Sequence, residues 1–110
     1  MIRIAFHRSR ARAGYRGFTA EGHAGAARTG EYDLVCAAVS VLTDTAANAL
    51  ARVAGIEPVI SEADGALACF LPEGTGDGAW SAAQIVFRTV ESGLADVAAQ
   101  YPQYVRLESK

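Results

Sequence analysis

Asp33-Leu34-Val35-Cys36-Ala37-Ala38-Val39-Ser40 opens a run to about Ala54 that contains neither Gly nor Pro, and its reading decides the fold. Asp33 is a residue type suited to an N-cap. Its polar residues Asp33, Ser40, Asp44 and Asn48 fall on one narrow stripe at helical spacing, and nearly everything else is Leu, Val, Ala or Cys. The pattern predicts a helix from Leu34 to about Ala54, largely buried and ended by Gly55. Upstream, Ile2, Ile4 and Phe6 alternate with Arg3, Ala5 and His7, the period-two signature of a half-buried strand. Ser9 to Ala13 is a polar, arginine-rich break, and Gly14 to Glu21 resumes a strand through Tyr15, Phe18 and Ala20, so the two form a hairpin. Residues 24 to 32 carry Gly25 and Gly30 and no sustained period, which makes them a loop.

Downstream, Pro58 to Ser61 and Ala66 to Leu71 flank Glu62-Ala63-Asp64-Gly65, where Asp-Gly signals a hairpin turn. Pro72 to Gly78 is a loop. Ala79 to about Tyr101 shows a second helical stripe at Ala83, Val86, Val90, Leu94, Val97 and Tyr101, and Pro102 stops it. Tyr104 to Leu107 closes the chain as a short strand. The order β-β-α-β-β-α-β specifies a single α+β domain over residues 1–110: an antiparallel-rich sheet with two long helices packed against it.

The 110 residues have room for one core, and 51% hydrophobic against 20% charged residues excludes a disordered chain. No unbroken apolar run approaches the roughly 20 residues of a membrane span, so no membrane association is expected. The alternating N-terminus lacks the apolar block of a signal peptide, and a cytoplasmic protein is expected. Two cysteines, with no C-x-x-C or Cys/His ligand spacing, give no disulfide framework, no metal site and no cofactor. The net charge of −2 argues against a general nucleic-acid binder, although Arg3, Arg8, Arg10, Arg12, Arg16 and Arg28 face only Glu21 in the first 28 residues. That basic hairpin either touches an anionic partner or simply faces water.

The chemistry concentrates between Gly22-His23-Ala24-Gly25 and Ser40. With Asp33 as cap, Cys36 falls in the first helical turn, where unpaired N–H groups and the positive end of the dipole converge, the setting of reactive thiols. Asp33 and Ser40, three back and four on, share its face. His23, thirteen residues earlier, can fold back across the glycine-bearing loop. Spacing alone leaves two readings of Cys36: a nucleophile with His23 as its base, or a small core residue. Asp33 either caps the helix or orients the imidazole, and Ser40 either serves the site or bonds back to its own helix. Cys69, inside Leu67-Ala68-Cys69-Phe70-Leu71, reads as core filling. His7, at the end of the first strand, is expected to be exposed.

Gly22-His23-Ala24, the glycine-bearing loop and Asp33 to Ser40 together resemble the ribosomal-processing cysteine protease (Prp) family of bacteria. The likeness continues through Asn48-Ala49-Leu50 and returns at Gln100-Tyr101 and Val105-Arg106-Leu107. The resemblance implies a cytoplasmic, homodimeric α+β cysteine protease. It implies His23 and Cys36 as catalytic dyad, Asp33 and Ser40 as supporting residues, and a segment bearing Gly25, Gly30 and Tyr32 that moves when substrate binds. The implied substrate is the N-terminal extension of a large-subunit ribosomal protein, cut after an aromatic residue in an apolar segment, with no direct sequence-specific nucleic-acid binding. Two other classes share some of these features. One is a non-enzymatic ribosome-assembly factor, which needs no reactive thiol. The other is a thiol hydrolase of a small molecule, which differs only in substrate.

Overall fold

The structure, a computed structural model, describes residues 1–22 and 30–110. Strands β1 (Ile2–Arg8) and β2 (Tyr15–Glu21) form the expected hairpin, followed by α1 (Glu31–Arg52), β3 (Val59–Ala63), β4 (Ala66–Phe70), α2 (Asp77–Gln100) and β5 (Val105–Ser109). The five strands make one sheet in the order β3-β4-β2-β1-β5. Only the β1–β5 pair is parallel, because α2 carries the chain back across the sheet between β4 and β5.

Alternation along the strands decides which face meets the helices. Ile2, Ile4, Phe6, Phe18, Ala20, Leu67, Cys69 and Val105 point one way and are buried. Val35, Val39, Ala46 and Leu50 of α1, with Ala83, Phe87, Val90 and Leu94 of α2, close over them. Phe6, Phe18 and Phe87 form the aromatic centre, with ring centroids 5.6 to 6.3 Å apart. Each such side chain contributes roughly 1.5–3 kcal/mol by leaving water. Asp64-Gly65 makes the β3–β4 turn, with Gly65 at φ +71°, a conformation that glycine adopts without steric cost.

Three expectations need correction. The first helix starts at Glu31, not Leu34: its cap is Gly30, at φ +75° with no side-chain hydrogen bond. Glycine makes the reversal there, and Glu31 and Asp33 sit inside the first turn, where carboxylates suit the positive dipole end. Second, α1 is not largely buried. Leu34 is 72% and Val41 64% exposed, because the sheet and α2 together cover only one side of the helix. On length and composition α1 is apolar enough to cross a bilayer, yet its Val35, Val39 and Leu50 stripe is packed into the core. Third, His7 is half-buried. Its Nε2 and the Thr19 hydroxyl share a hydrogen bond of 3.0 Å, and its ring lies 5.4 Å from that of Phe70.

Candidate active site

One end of the sheet gathers four chain segments. The Ile2 N–H donates to the Tyr104 carbonyl at 2.7 Å, and the Gly22 N–H donates to the Gly65 carbonyl at 2.9 Å. The starts of β1 and β5, the end of β2 and the β3–β4 turn therefore meet here. The first turns of α1 lie over this end. The Tyr32 hydroxyl donates to the Gly22 carbonyl at 3.2 Å, and its ring packs edge-on against Tyr104 at 5.3 Å. Tyr104 in turn stacks on Tyr101 at 6.4 Å. Gln103 Nε2 donates to Glu31 Oε1 at 3.3 Å, a second tie between the helix start and the segment before β5.

Cys36 stands one turn beyond Tyr32 on the same helix face, half-exposed at the margin of the core. It is the sixth residue of α1, so it lies in the second turn rather than the first. The Leu34 N–H is taken by the Gly30 carbonyl at 3.2 Å. The earlier N–H groups of Glu31, Tyr32 and Asp33 precede Cys36 by about 4.5 Å or more along the axis, and helical side chains lean towards that end. Asp33 is exposed on this first turn and does not cap it. Ser40 is half-buried, and its hydroxyl forms no back-bond to the helix among the described residues. That role falls to Thr43, which donates to the Val39 carbonyl at 3.0 Å.

His23 and Gly25 lie outside the described residues, as does the rest of the segment from Ala24 to Thr29. Tyr32, expected in the loop, is helical instead. His23 follows directly on Gly22, the residue that Tyr32 ties to the helix. His7 sits at the opposite end of β1 and is not a neighbour of this site. Cys69 is fully buried, and that burial pushes its thiol up to about 11, which keeps it protonated and inert. The tyrosines at 32, 101 and 104 form a group only in the folded chain. They come from positions some 70 residues apart, and no local pattern joins them. Among the described residues, no group of three or more His, Cys, Asp or Glu side chains is placed to hold a metal ion.

A family model described as cysteine protease Prp matches residues 1–106. No curated protein sequence matches the chain. Among solved structures, the ribosomal processing protease Prp from Staphylococcus aureus in complex with a substrate peptide superposes with a TM-score of 0.84 at 21% identity, covering all of both chains. The same protease with a covalently linked product peptide gives 0.81 at 23% identity, again over both whole chains. SMU.848 from Streptococcus mutans gives 0.79 at 27% identity, covering 99% of this chain and 93% of its own.

Proposed function

The chain belongs to the cysteine protease Prp family, and from that premise we propose that it removes the N-terminal extension of a large-subunit ribosomal protein, using Cys36 as nucleophile and His23 as general base. The observation that carries the reading is the hydrogen bond from Tyr32 to the Gly22 carbonyl. It ties Gly22, the residue before His23 in sequence, to the helix that carries Cys36 one turn further on, which supports pairing a base from this segment with the half-exposed thiol. The fully buried Cys69 leaves Cys36 as the accessible thiol.

His23 takes the proton from Cys36, and the sulfur attacks the scissile carbonyl carbon. As the tetrahedral adduct collapses, His23 returns the proton to the departing amine, leaving an acyl thioester on Cys36. Water, deprotonated by His23, then releases the new C-terminus. The peptide is bound extended, with its aromatic residue before the cut. The Tyr32–Tyr104 ring pair at this end of the sheet supports that preference. The enzyme is cytoplasmic, where ribosomal proteins are made and assembled, and homodimeric, a state supported by the exposed apolar residues of α1.

The test is cleavage of a peptide bearing an aromatic residue in an apolar segment. Cys36→Ala and His23→Ala should each lose at least about a thousandfold in kcat/KM while retaining the native circular dichroism spectrum. Mass spectrometry of the products should place the cut directly after the aromatic residue. Full turnover by the alanine variant at position 36 would overturn the assignment.

A further inference from the structure

The far end of the β1–β2 hairpin carries a second concavity, about 290 Å³, which the proteolytic reading does not use. Its walls include Arg12, Arg16, Phe70, Pro72, Glu73 and Trp80. Two strands joined only for pairing need a turn of about two residues. This connection has six, residues 9–14, and it is held rigidly. Ser9 Oγ accepts from the backbone N–H groups of Ala11 and Arg12 at 3.1 and 3.2 Å. Trp80 Nε1 donates to the Ala13 carbonyl at 2.9 Å. The Gln84 side chain both accepts from the Tyr15 N–H at 2.6 Å and donates to the Tyr15 carbonyl at 2.7 Å. Arg12 donates to Asp77 at 3.1 Å and to the Thr75 carbonyl.

That rigidity sets two cation–ring pairs side by side. The Arg12 guanidinium lies 4.0 Å over the Trp80 ring, and that of Arg16 lies 4.8 Å over Phe70. Phe70 is held on the open face of the sheet because its ring covers Gly17, where a Cβ would collide with it. A guanidinium lying over an aromatic ring presents a flat, positively charged platform, the surface on which an unpaired base stacks. Arg10 is exposed in the same turn. Among the described residues Arg10 and Arg16 have no carboxylate within 4.0 Å. Burial first, then Arg16 and Lys110, lower the pKa of the nearby His7, against Glu108. Glu73 at the lip and Asp77 beside Arg12 limit the net charge, which favours a ligand that also stacks over one held by charge alone.

We propose that this cleft binds single-stranded nucleic acid without sequence preference, bases stacking on the Arg12–Trp80 and Arg16–Phe70 platforms while Arg10 and Arg16, which no carboxylate among the described residues neutralises, meet phosphates. A duplex keeps its bases stacked internally and offers none to a cleft of this size. The cleft lies at the opposite end of the β1–β2 hairpin from Cys36, roughly 20 Å away along seven-residue strands. The surface therefore holds a strand while the other end of the sheet stays open, and the proposal does not rest on the proteolytic reading.

Trp80 is the chain's one tryptophan, so its fluorescence reports the cleft directly. Titration of the intact protein with oligouridylate of eight nucleotides should quench Trp80 with a Kd of roughly 1–100 µM at physiological salt. Two phosphates met should give a log–log salt slope of about −1.4. Arg16→Ala should weaken binding about tenfold and flatten the slope by about 0.7. Arg16→Lys should restore the slope without restoring the full quench. Arg88→Ala, which removes an exposed arginine of α2 outside the cleft, should change neither. Absence of quenching at millimolar oligonucleotide, an equal Kd for Arg16→Ala, or tighter binding of oligoglutamate than of oligouridylate would each overturn the proposal.

Discussion

The Tyr32 hydroxyl and the Gly22 carbonyl, 3.2 Å apart, join the end of β2 to the first turn of α1 across the segment that carries His23. Gly22 has little freedom of its own. It sits at φ +90°, and a Cβ there would strike the Met1 carbonyl oxygen. The hydrogen bond thus connects a fixed strand end to the helical face that bears Cys36.

Removing this bond tests whether it positions the dyad. An exposed hydrogen bond contributes about 1 kcal/mol or less to stability, so Tyr32→Phe should shift the thermal midpoint by only a few degrees. In a positioning role its loss should lower kcat about tenfold with KM little changed. Tyr32→Phe with wild-type kcat would show that the bond is incidental. Steady-state kinetics on an aromatic peptide, run beside thermal unfolding, separates the two outcomes.

The two thiols should behave as chemically different groups. Burial holds Cys69 protonated up to about pH 11, whereas Cys36 reaches solvent. Iodoacetamide at pH 8 should therefore add one carbamidomethyl group to the native protein, at Cys36, and two after denaturation. Cys69→Ala should cost roughly 1–2 kcal/mol by leaving a small void beside Phe18 and Leu67, with kcat unchanged. Native labelling at Cys69, read by peptide mapping, would contradict the packing.

Most of the architecture was legible because alternation and helical period report burial directly. Ile2, Ile4 and Phe6 on β1 and the Ala83 to Leu94 stripe on α2 need only one face each to be apolar. The start of α1 was not legible in the same way. Asp33 looks like a cap by residue type, but Gly30 begins the helix through a backbone conformation that has no side-chain signature. Nor does an alanine- and valine-rich period say which of its faces finds a partner, and so Leu34 and Val41 emerge exposed. The shelter of His7 is not legible at a strand end, because its ring is covered by Phe70 and Thr19, residues supplied by other strands. The Tyr32–Tyr104–Tyr101 group depends on tertiary contact alone.

His7 should make the fold sensitive to acid. Burial, then the positive charges of Arg16 and Lys110, lower its pKa from 6.5, and Glu108 opposes them. The unfolded chain therefore takes up this proton before the native state does. Its contribution is fully present above pH 6.5 and is lost as pH falls through the native pKa, below which it stays constant. The urea midpoint should fall between pH 7.5 and pH 5, and by less in His7→Gln. An identical fall in both proteins would assign the acid sensitivity to other groups.

The exposed apolar side of α1 yields the last expectation. Leu34 and Val41 lie seven residues apart, two helical turns, with Ala37 and Ala38 exposed between them. They form an apolar strip with only small side chains in the middle. Such a strip lets another helix approach closely, and a twofold arrangement would pair it with its own copy. Two copies of Leu34 and Val41 leaving water contribute roughly 1.5–3 kcal/mol for each side chain, enough to matter at micromolar concentration once the cost of association is met. Leu34→Glu combined with Val41→Glu should then convert a dimer into a monomer of 11.5 kDa by light scattering, with the circular dichroism spectrum preserved because neither side chain is in the core. A dimer that survives both glutamates would move the interface to another surface. A wild-type protein already monomeric at high micromolar concentration would remove the dimer altogether.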